Sequence, residues 1–477
     1  MERVLTVEQM RAADKNTIEK LGISEQTLVE RAGRAVVDEI VKRFAGGRVL
    51  VCIGGGNNGK DGRVIADILS KTHGFTVATY NVLNGVDKLF EKKFDIIVDC
   101  IFGTGLNRVV DGKYKYAIEK INLAQAYKVA CDIPSGLNGD NGFVMGDAVR
   151  ANLTVAIQEY KIGLFLNDGP DYTGEVVVKD IGISVWEENC TIKLSDEDVK
   201  SFFPKRPRNV NKGTFGKVAI LGGSKSFVGS PLLSACALTA LKCGTGYSFL
   251  YVPQSLFDIY AGKNPEVIVK TYPDENGVLK FDEKTTENLM NFDVLCLGMG
   301  ATPSLEIYKI IEYLAHNYKR TLIIDADGIN SINSFGLSVL KNAECEIILT
   351  PHIGEFCRLT GLDKSSVLLD PVGAALRFAK EYGVTLVLKN AVSIITDGKA
   401  VYLNTTGNSA LAKAGSGDVL DGVLCGMAIN KDDLPKVCAA ACYVFGRAAE
   451  KAVEEQNEYT VTASDVIGSL SAAINSL

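Results

Sequence analysis

The stretch that decides the fold is KAGSGDVL, residues 413–420, near the carboxyl end of a chain of 477 residues. Two glycines flank a serine, Asp418 follows at once, and apolar residues at helical spacing begin at Val419. A glycine turn that runs into a helix brings backbone N–H groups and the positive end of the helix dipole close to a ligand, which is typical of a phosphate site. Asp418 fits beside a phosphate if it takes a proton from the attacking hydroxyl. A plain helix N-cap is the competing interpretation of Asp418.

Length and composition limit the functional classes. A chain of this length is too long for one ordinary core and predicts two or three domains. With 47% hydrophobic residues, no apolar run of 18 residues and no signal-peptide layout, a soluble cytoplasmic protein without membrane contact is expected. The net charge of −6, without a long basic block, argues against a nucleic-acid partner. Twelve scattered cysteines without a CxxC pair and three histidines predict reduced thiols rather than disulfides or a zinc site.

The first half alternates short apolar strands with helices, which predicts a parallel α/β sheet covered on both faces. The strand Arg48–Ile53 ends in a glycine-rich loop, residues 54–62, and a helix is expected from about Arg63. Two further loops, residues 99–106 and 132–137, follow later strands. Because open α/β sheets bind ligands at the carboxyl ends of their strands, these three loops predict a ligand site.

Oxygen-bearing side chains stand in all three loops. Asn58, Asp99 and Ser135 could converge on a hard cation, which prefers oxygen ligands. The alternative is that each side chain caps a helix or a turn, a common role for these residue types. Any one of them alone favours the cap, so the cation site depends on all three together.

The motifs of the first half resemble the NAD(P)H-hydrate epimerase domain over residues 1–185. The matching segments, in chain order, are LVERAG (28–33), GGGNNGKDG (54–62), DCIFGTGL (99–106), DIPSGLNG (132–139), KIGLF (161–165) and GEVVVKDIGI (174–183). The resemblance implies a Rossmann-like parallel-sheet sandwich in which Asn58, Asp99 and Ser135 ligate potassium. It also implies that Asp132 contacts the hydrated nicotinamide as acid and base. The residues it implies for binding the nucleotide are Asn57, Asn58, Gly59, Lys60, Asp61, Gly103, Thr104, Gly105, Leu106, Asn107, Arg108, Val109 and Asp132.

Lys60 departs from the family pattern, which has glycine at this position. If the backbone there needs a positive φ, lysine carries a steric cost. Lys60 could instead neutralise a phosphate of the ligand, and a loss of substrate affinity in Lys60→Gly would support that role.

The second half predicts another α/β sheet. A basic, proline-bearing segment, residues 201–209, is the best linker in the chain and predicts domains at 1–204 and 205–477. After it come the strand Lys217–Leu221, a small-residue helix from about Ser230 to Cys243, and further strands that end in ligand-type loops.

Four motifs of this half resemble the ribokinase-like superfamily and, within it, the ADP-dependent NAD(P)H-hydrate dehydratases. They are KGTFGKVAILGGS (212–224), TPHIGEF (350–356), VLKN (387–390) and GNSALAKAGSGDVLDG (407–422). The resemblance covers about residues 206–477 and implies a ribokinase-like α/β domain. The residues it implies for the hydrated nicotinamide are Ser230, Gly300, His352 and Asp418, and those for AMP or ADP are Lys389, Asn390, Ala391, Val392, Ser393 and Gly417. The plain alternatives are a satisfied loop histidine at His352 and a solvated strand end at Lys389.

Together the two resemblances imply a repair enzyme for hydrated NADH and NADPH. One half would interconvert the R and S hydrates, and the other would dehydrate the S form with ADP, accompanied by magnesium, releasing AMP and phosphate. The expected partners are therefore small molecules, NADHX, NADPHX and ADP, in a homo-oligomer. One alternative is a ribokinase-like kinase of vitamin precursors, using ATP, fused to a nucleotide-binding module. Another is that the first half is a regulatory or scaffold module without turnover.

Overall fold

The computed structural model describes residues 1–84, 87–185, 190–238, 244–429 and 433–477. Within it the chain forms two compact units, Glu2–Cys190 and Thr191–Leu477. This division falls ahead of the basic segment 201–209, and the domain limits at 204 and 205 stay a prediction. Among the described residues, no helix combines the length and the apolar character needed to cross a membrane.

The first unit is built on a parallel sheet in the order β3-β2-β4-β5-β6-β8, and a short parallel pair, β1 with β7, stands apart from it. The strands are β1 (Glu2–Leu5), β2 (Gly47–Ile53), β3 (Phe75–Asn81), β4 (Ile96–Cys100), β5 (Tyr127–Cys131), β6 (Leu153–Ile157), β7 (Tyr160–Lys161) and β8 (Glu175–Lys179). The helices are α1 (Val7–Leu21), α2 (Glu25–Arg43), α3 (Asn57–Lys71), α4 (Gly112–Leu123) and α5 (Gly169–Thr173).

Both faces of this sheet are covered, as the continuous apolar strands predict. Along β2, Val49 and Val51 pack into a core with α2 and α3, while Leu50 and Cys52 pack with α4 on the other face. Side chains of a strand alternate between faces, so a strand covered on both sides must be apolar at every position.

The expected start of the third helix near Arg63 is wrong, because α3 begins at Asn57. The glycines after Gly56 serve close packing rather than a loop. A Cβ atom on Gly59 would lie 2.1 Å from the Gly54 carbonyl oxygen, and one on Gly62 would lie 2.7 Å from Cys100 Cβ. The helix therefore lies flush against β2 and β4, and its first turn carries the residues that were expected to form the loop.

The second unit holds a larger sheet in the order β12-β11-β10-β15-β16-β17-β18-β19-β20-β9. Its strands, with a separate antiparallel pair β13–β14, are β9 (Thr191–Lys193), β10 (Lys217–Leu221), β11 (Tyr247–Pro253), β12 (Ile268–Tyr272), β13 (Asp274–Glu275), β14 (Val278–Leu279), β15 (Val294–Leu297), β16 (Thr321–Ile324), β17 (Glu346–Leu349), β18 (Thr385–Leu388), β19 (Ser393–Thr396) and β20 (Val401–Asn404). The pairs from β12 to β18 are parallel, whereas β18, β19 and β20 pair antiparallel.

Thirteen further helices within the described residues connect and cover these strands. They are α6 (Asp196–Lys200), α7 (Gly229–Leu238), α8 (Phe257–Tyr260), α9 (Glu283–Leu289), α10 (Leu305–Asn317), α11 (Ala326–Phe335), α12 (Ser338–Lys341), α13 (Ile353–Thr360), α14 (Lys364–Leu369), α15 (Pro371–Tyr382), α16 (Ser416–Met427), α17 (Leu434–Glu455) and α18 (Ala463–Asn475). The helix predicted from Ser230 to Cys243 is present as α7, and residues 239–243 lie outside the described residues. Helices α7, α16, α17 and α18 share one apolar core with the sheet.

Candidate active sites

A cavity of about 480 Å³ opens at the carboxyl ends of the strands of the first unit. Helix α1 forms part of its wall through Met10, Arg11 and Asp14. The predicted nucleotide-binding residues that line the cavity are Asn57, Asn58, Asp61, Gly103, Thr104, Gly105, Leu106 and Asp132. Gly59 and Lys60 lie on α3 outside the lining, and Asn107, Arg108 and Val109 continue the chain beyond it, with Val109 exposed.

Asp132 forms an ion pair with Lys161 inside this cavity. Its backbone has a φ of 71°, which is uncommon for a residue other than glycine, and residues in such sparsely populated conformations cluster at active sites. The Asp132 Oδ1 atom accepts hydrogen bonds from the Lys161 ammonium and from the Ile157 N–H. Lys161 is almost fully buried and also donates to the Ile157 carbonyl oxygen at 2.5 Å. The sequence reasoning missed Lys161 as a site residue, although it opens the KIGLF motif.

Asp61 lines the same cavity in a different electrostatic environment. Burial, and then the negative charge of Asp132, raise the pKa of Asp61 to about 8. Asp61 therefore holds its proton at neutral pH, while Asp132 has a lysine as its partner. Two carboxyl groups in one cavity thus have different environments, one raised in pKa by burial and the other paired with a buried lysine.

The three predicted potassium ligands are brought together around the backbone of Phe102. The Asn58 amide donates to the Phe102 carbonyl oxygen at 2.7 Å, and the Phe102 N–H donates to Ser135 Oγ at 2.8 Å. Ser135 in turn donates through its hydroxyl to Asp99 Oδ1 at 2.6 Å and through its N–H to Asp99 Oδ2 at 2.8 Å.

Two features of this cluster fit a bound cation. The Asn58 Oδ1 atom is buried and finds no hydrogen-bond partner among the described residues, which is costly unless a ligand occupies it. Asp99 is fully buried, and this burial raises its pKa to about 6 despite the hydrogen bonds from Ser135. An orphaned amide oxygen, a buried carboxyl group and a hydroxyl form an oxygen donor set suited to a hard cation.

Lys60 meets no backbone penalty, because it lies in the first turns of α3 and is not among the residues with positive φ. Its ammonium pairs with Glu25 Oε1 at 2.5 Å, and both side chains are about half exposed. Glu25 lines the cavity. The steric concern about lysine at this position is therefore removed.

In the second unit, Asp418 lies in the first turn of α16. The N-cap is Gly415, with a φ of 91° and no side-chain cap, so the interpretation of Asp418 as the N-cap is wrong. The hydroxyl of Ser230, on α7, donates a short hydrogen bond to Asp418 Oδ1. Burial raises the pKa of Asp418, against the effect of the Ser230 hydrogen bond. Gly300, at a φ of 60°, adjoins this pair, since a Cβ atom on it would lie 3.3 Å from Ser230 Cβ.

Lys389 approaches the same helix start from the sheet. A Cβ atom on Gly417 would lie 3.3 Å from the Lys389 ammonium nitrogen and 3.8 Å from Asp325 Oδ2. Lys389 donates to Asp325 Oδ1 at 2.8 Å, and the side chains are only 18% and 5% exposed. The interpretation of Lys389 as a solvated strand end is therefore wrong. Asp325, which directly follows β16, was not predicted as a site residue.

His352 stands beside Lys389 in the backbone, where the two form a parallel bridge. It is the N-cap of α13, and its Nδ1 accepts from the N–H groups of Gly354 and Glu355, at 3.0 and 3.3 Å. The proton of the neutral ring must then be on Nε2. Burial and the nearby Lys389 lower the His352 pKa, which keeps the ring neutral. The interpretation of His352 as a loop histidine with its hydrogen bonds satisfied therefore applies to Nδ1. The side chain as a whole remains 55% exposed.

The other predicted nucleotide residues form the turn from β18 to β19. Asn390 and Ala391 are exposed at the tip, Val392 is buried, and Ser393 opens β19. Across the part of the chain that the structure describes, no three His, Cys, Asp or Glu side chains are grouped to hold a metal ion. The cysteines within that part are free thiols.

The structure defines a two-unit α/β protein, and its fold is similar to that of solved ribokinase-like proteins. A ribokinase-like superfamily protein from Enterococcus faecalis V583 superposes with a TM-score of 0.52 at 22% identity, over 61% of this chain and 98% of that chain. An ADP/ATP-dependent NAD(P)H-hydrate dehydratase from Bacillus subtilis, co-crystallised with ATP and Mg²⁺, gives a TM-score of 0.51 at 24% identity, over 59% and 97%.

Sequence comparison extends over both units. A family model for NAD(P)H-hydrate dehydratase matches residues 218–471, and a model for the YjeF-related protein N-terminus matches residues 25–88 and 81–163. The bifunctional NAD(P)H-hydrate repair enzyme Nnr of Thermofilum pendens is 32% identical over 100% of this chain and 97% of its own length. The corresponding protein of Archaeoglobus fulgidus is 34% identical over 98% and 97%. The chain belongs to the family of bifunctional NAD(P)H-hydrate repair enzymes.

Proposed function

We propose that the chain repairs hydrated NADH and NADPH with two separate sites. The first unit interconverts the R and S hydrates, and the second converts the S hydrate back to NAD(P)H with ADP, releasing AMP and phosphate. The proposal depends mainly on the arrangement at the start of α16, where the Asp418 carboxyl group and the Lys389 ammonium group lie on either side of Gly417.

Dehydration needs the C6 hydroxyl of the hydrated ring to become a good leaving group. Asp418 accepts the proton of this hydroxyl while the hydroxyl oxygen forms a bond to the β-phosphorus of ADP. The bond from that phosphorus to the AMP oxygen breaks at the same time. Loss of the C5 proton and departure of phosphate from C6 then restore the double bond. Lys389 and the backbone amides of Gly415–Gly417 stabilise the charge on the transferred group. The remaining residues proposed to hold the nucleotide are Asn390, Ala391, Val392 and Ser393.

The nicotinamide ring is proposed to lie on the opposite side of Asp418 from the nucleotide. Gly300 lets the chain pass close to Phe227 and Ser230, since a Cβ atom on it would lie 2.6 Å from Phe227 Cβ. The Ser230 hydroxyl orients the Asp418 carboxylate through its hydrogen bond. The Nε2–H of His352, which lies 3.5 Å from Glu355 Oε1, is the proposed donor to the ring, because Nδ1 is engaged by the backbone of α13. Since base, hydroxyl and phosphorus must line up, the site serves one C6 stereoisomer, the S form.

Epimerisation is assigned to the cavity of the first unit. Asp132, with Lys161 as its partner, exchanges a proton with the ring system as the C6 centre opens and recloses. Water re-adds at C6 from either face, which interconverts the two hydrates. The loop Gly103–Val109 and the start of α3, Asn57–Asp61, are proposed to hold the nucleotide.

Potassium is proposed to bind Asn58, Asp99 and Ser135, a set whose unpartnered Asn58 oxygen and buried Asp99 carboxyl fit a cation. When bound, the ion supplies positive charge at the wall of the cavity. Magnesium is proposed to accompany the ADP diphosphate and to neutralise its charge. NADHX, NADPHX and ADP are the proposed small-molecule partners, without nucleic acid or membrane, in a cytoplasmic homo-oligomer.

The dehydratase proposal is tested by incubating the full chain with ADP, Mg²⁺ and hydrated NADH while the absorbance of reduced nicotinamide is followed. Absorbance should return with the wild type and not with Asp418→Asn. The kinase alternative would be established if the chain restored no absorbance with ADP but phosphorylated a vitamin alcohol with ATP.

The epimerase proposal is tested in the Asp418→Asn background, which leaves the hydrates intact. Chromatography should show a pure hydrate equilibrating to both stereoisomers, and adding Asp132→Asn should abolish the exchange. A chain that binds the hydrates without any exchange above the buffer rate would instead fit a regulatory or scaffold module.

A further inference from the structure

A buried polar network lies beneath the start of α16. It is formed where neighbouring parallel strands end, with Asp325 after β16, Thr350 after β17 and Lys389 after β18. Asp421, one helical turn beyond Asp418 in α16, completes it from above. Asp421 and Thr350 are fully buried, and Asp325 is 4% exposed. Nothing in the proposed chemistry so far uses Asp421.

The contacts of Asp421 are unusual for a carboxylate. Its Oδ1 accepts a hydrogen bond from the Thr350 hydroxyl at 3.3 Å, and no residue that the structure describes donates an N–H or hydroxyl to its Oδ2. The side chain interacts with the Asp325 carboxyl group, to which a protonated Asp421 can donate a hydrogen bond. Two ionised carboxylates are acceptors only, so such a hydrogen bond requires a proton on one of the two groups.

The position of Lys389 decides which carboxyl group holds that proton. Its ammonium donates to Asp325, so the negative charge is favoured on Asp325. Burial, and then the charge of Asp325, raise the pKa of Asp421, whereas Lys389 lowers the pKa of Asp325 against the effect of burial. The other titratable groups facing Asp421 are the thiols of Cys296 and Cys442, whose pKa values are raised by burial, so both are neutral.

We propose that Asp421 is a positioning residue that remains protonated, donates a hydrogen bond to Asp325, and thereby fixes the Lys389 ammonium beside Gly417. The proposal rests on the proposed nucleotide site at that position. An ionised Asp421 would place a second negative charge under the diphosphate, and the cluster of Asp421, Asp325 and Lys389 would then carry a net negative charge. The proton keeps the charge balance while the hydrogen bond holds Asp325 in place.

The first test compares Asp421→Asn with Asp421→Ala in the full chain. Asparagine keeps the size and the N–H donor without a charge, so it should retain most of the ADP-dependent activity that alanine loses. Alanine leaves Asp325 free to move, and the ADP KM should rise by about tenfold or more, because small displacements of a positioned group are costly. If Asp421 acts as an ionised group, asparagine must be as damaging as alanine, and that result overturns the proposal.

The second test does not depend on activity. An infrared difference spectrum of wild type minus Asp421→Asn at neutral pH should contain the C=O stretch of a protonated carboxyl group, and Asp421→Asn should leave the rest of that spectral region unchanged. A carboxylate band in its place refutes the protonation even if Asp421→Ala fails to fold. If the band is present but the wild type is silent with ADP, the proposed function fails while the assignment of the proton stands.

Discussion

Replacing Lys389 with methionine should destabilise the second unit because it removes one member of a buried ion pair. The Lys389 ammonium lies 2.8 Å from Asp325 Oδ1, and the two side chains are 18% and 5% exposed. Methionine keeps the length and bulk of the side chain, so the change isolates the charge. Breaking a buried pair by removing one partner costs about 3–5 kcal/mol, because the remaining charge is left uncompensated. For a unit of this size the melting temperature should fall on the order of 10 °C.

The measurement is calorimetry on the full chain, following the transition that ADP raises in the wild type, because a chain with two units need not unfold in one step. Lys341→Met is the matched control. Lys341 pairs with Glu381 at a similar distance, 2.9 Å, but the side chains are 48% and 56% exposed. Loss of such a surface pair should cost less than about 1 kcal/mol.

The double variant Lys389→Met with Asp325→Asn separates the electrostatic effect from a packing effect. It removes both charges, so it should recover most of the lost stability while ADP binding, measured by titration calorimetry, stays absent. Equal stability of Lys389→Met and Lys341→Met would refute the reasoning. So would a double variant that is no more stable than Lys389→Met alone.

Three further predictions follow from the other polar clusters. Asp418→Asn should lower kcat for dehydration by about 100-fold or more with the ADP affinity unchanged. Burial raises the pKa of Asp418, and the base must be ionised to act. A pH–rate profile of the wild type should therefore show the rate decreasing on acidification at a higher pH than for an exposed aspartate. Asn58→Leu should remove the difference between potassium and sodium salts in the stereoisomer-exchange rate and leave dehydration intact; retained potassium dependence would exclude Asn58 as a ligand. Asp61→Asn should raise the melting temperature at pH 7. The pKa of Asp61 in the folded protein, about 8, lies above its value in the unfolded chain, so the wild type loses stability as the pH rises from about 4 to 8 and the unfolded chain ionises. The difference in melting temperature between the variant and the wild type should vanish below about pH 4.

The strands of both sheets and the convergence of the ligand loops could be predicted from sequence because each follows from local pattern. Apolar runs bounded by glycine identify buried strands, and parallel strands must end at one edge of a sheet. This is why Asn58, Asp99 and Ser135, which are far apart in the chain, are brought together around Phe102 as expected.

The partners of the site residues could not be predicted, because they depend on packing across long separations. Lys161 reaches Asp132 after a bend of the chain at Gln158, which has a φ of 67°, and no spacing rule identifies that pair. Asp421 was a missed signal, since it lies within the apolar run VLDGVLCGM, where an unpaired carboxylate would be costly. The start of α3 was misplaced because its glycines were interpreted as a loop rather than as contacts to β2 and β4.

Helix α1 has a practical consequence for anyone who shortens this chain. The Val7 N–H donates to Asp140 Oδ1 at 2.7 Å, and Arg11 donates to the Thr104 carbonyl oxygen at 3.2 Å. These hydrogen bonds hold the helix in place at the wall of the first cavity. A version that starts at Glu25 would still contain every strand of the six-stranded sheet. It would nevertheless lack the part of the cavity wall that α1 forms. Weak stereoisomer exchange by such a fragment would therefore reflect the truncation and not the activity of the full chain.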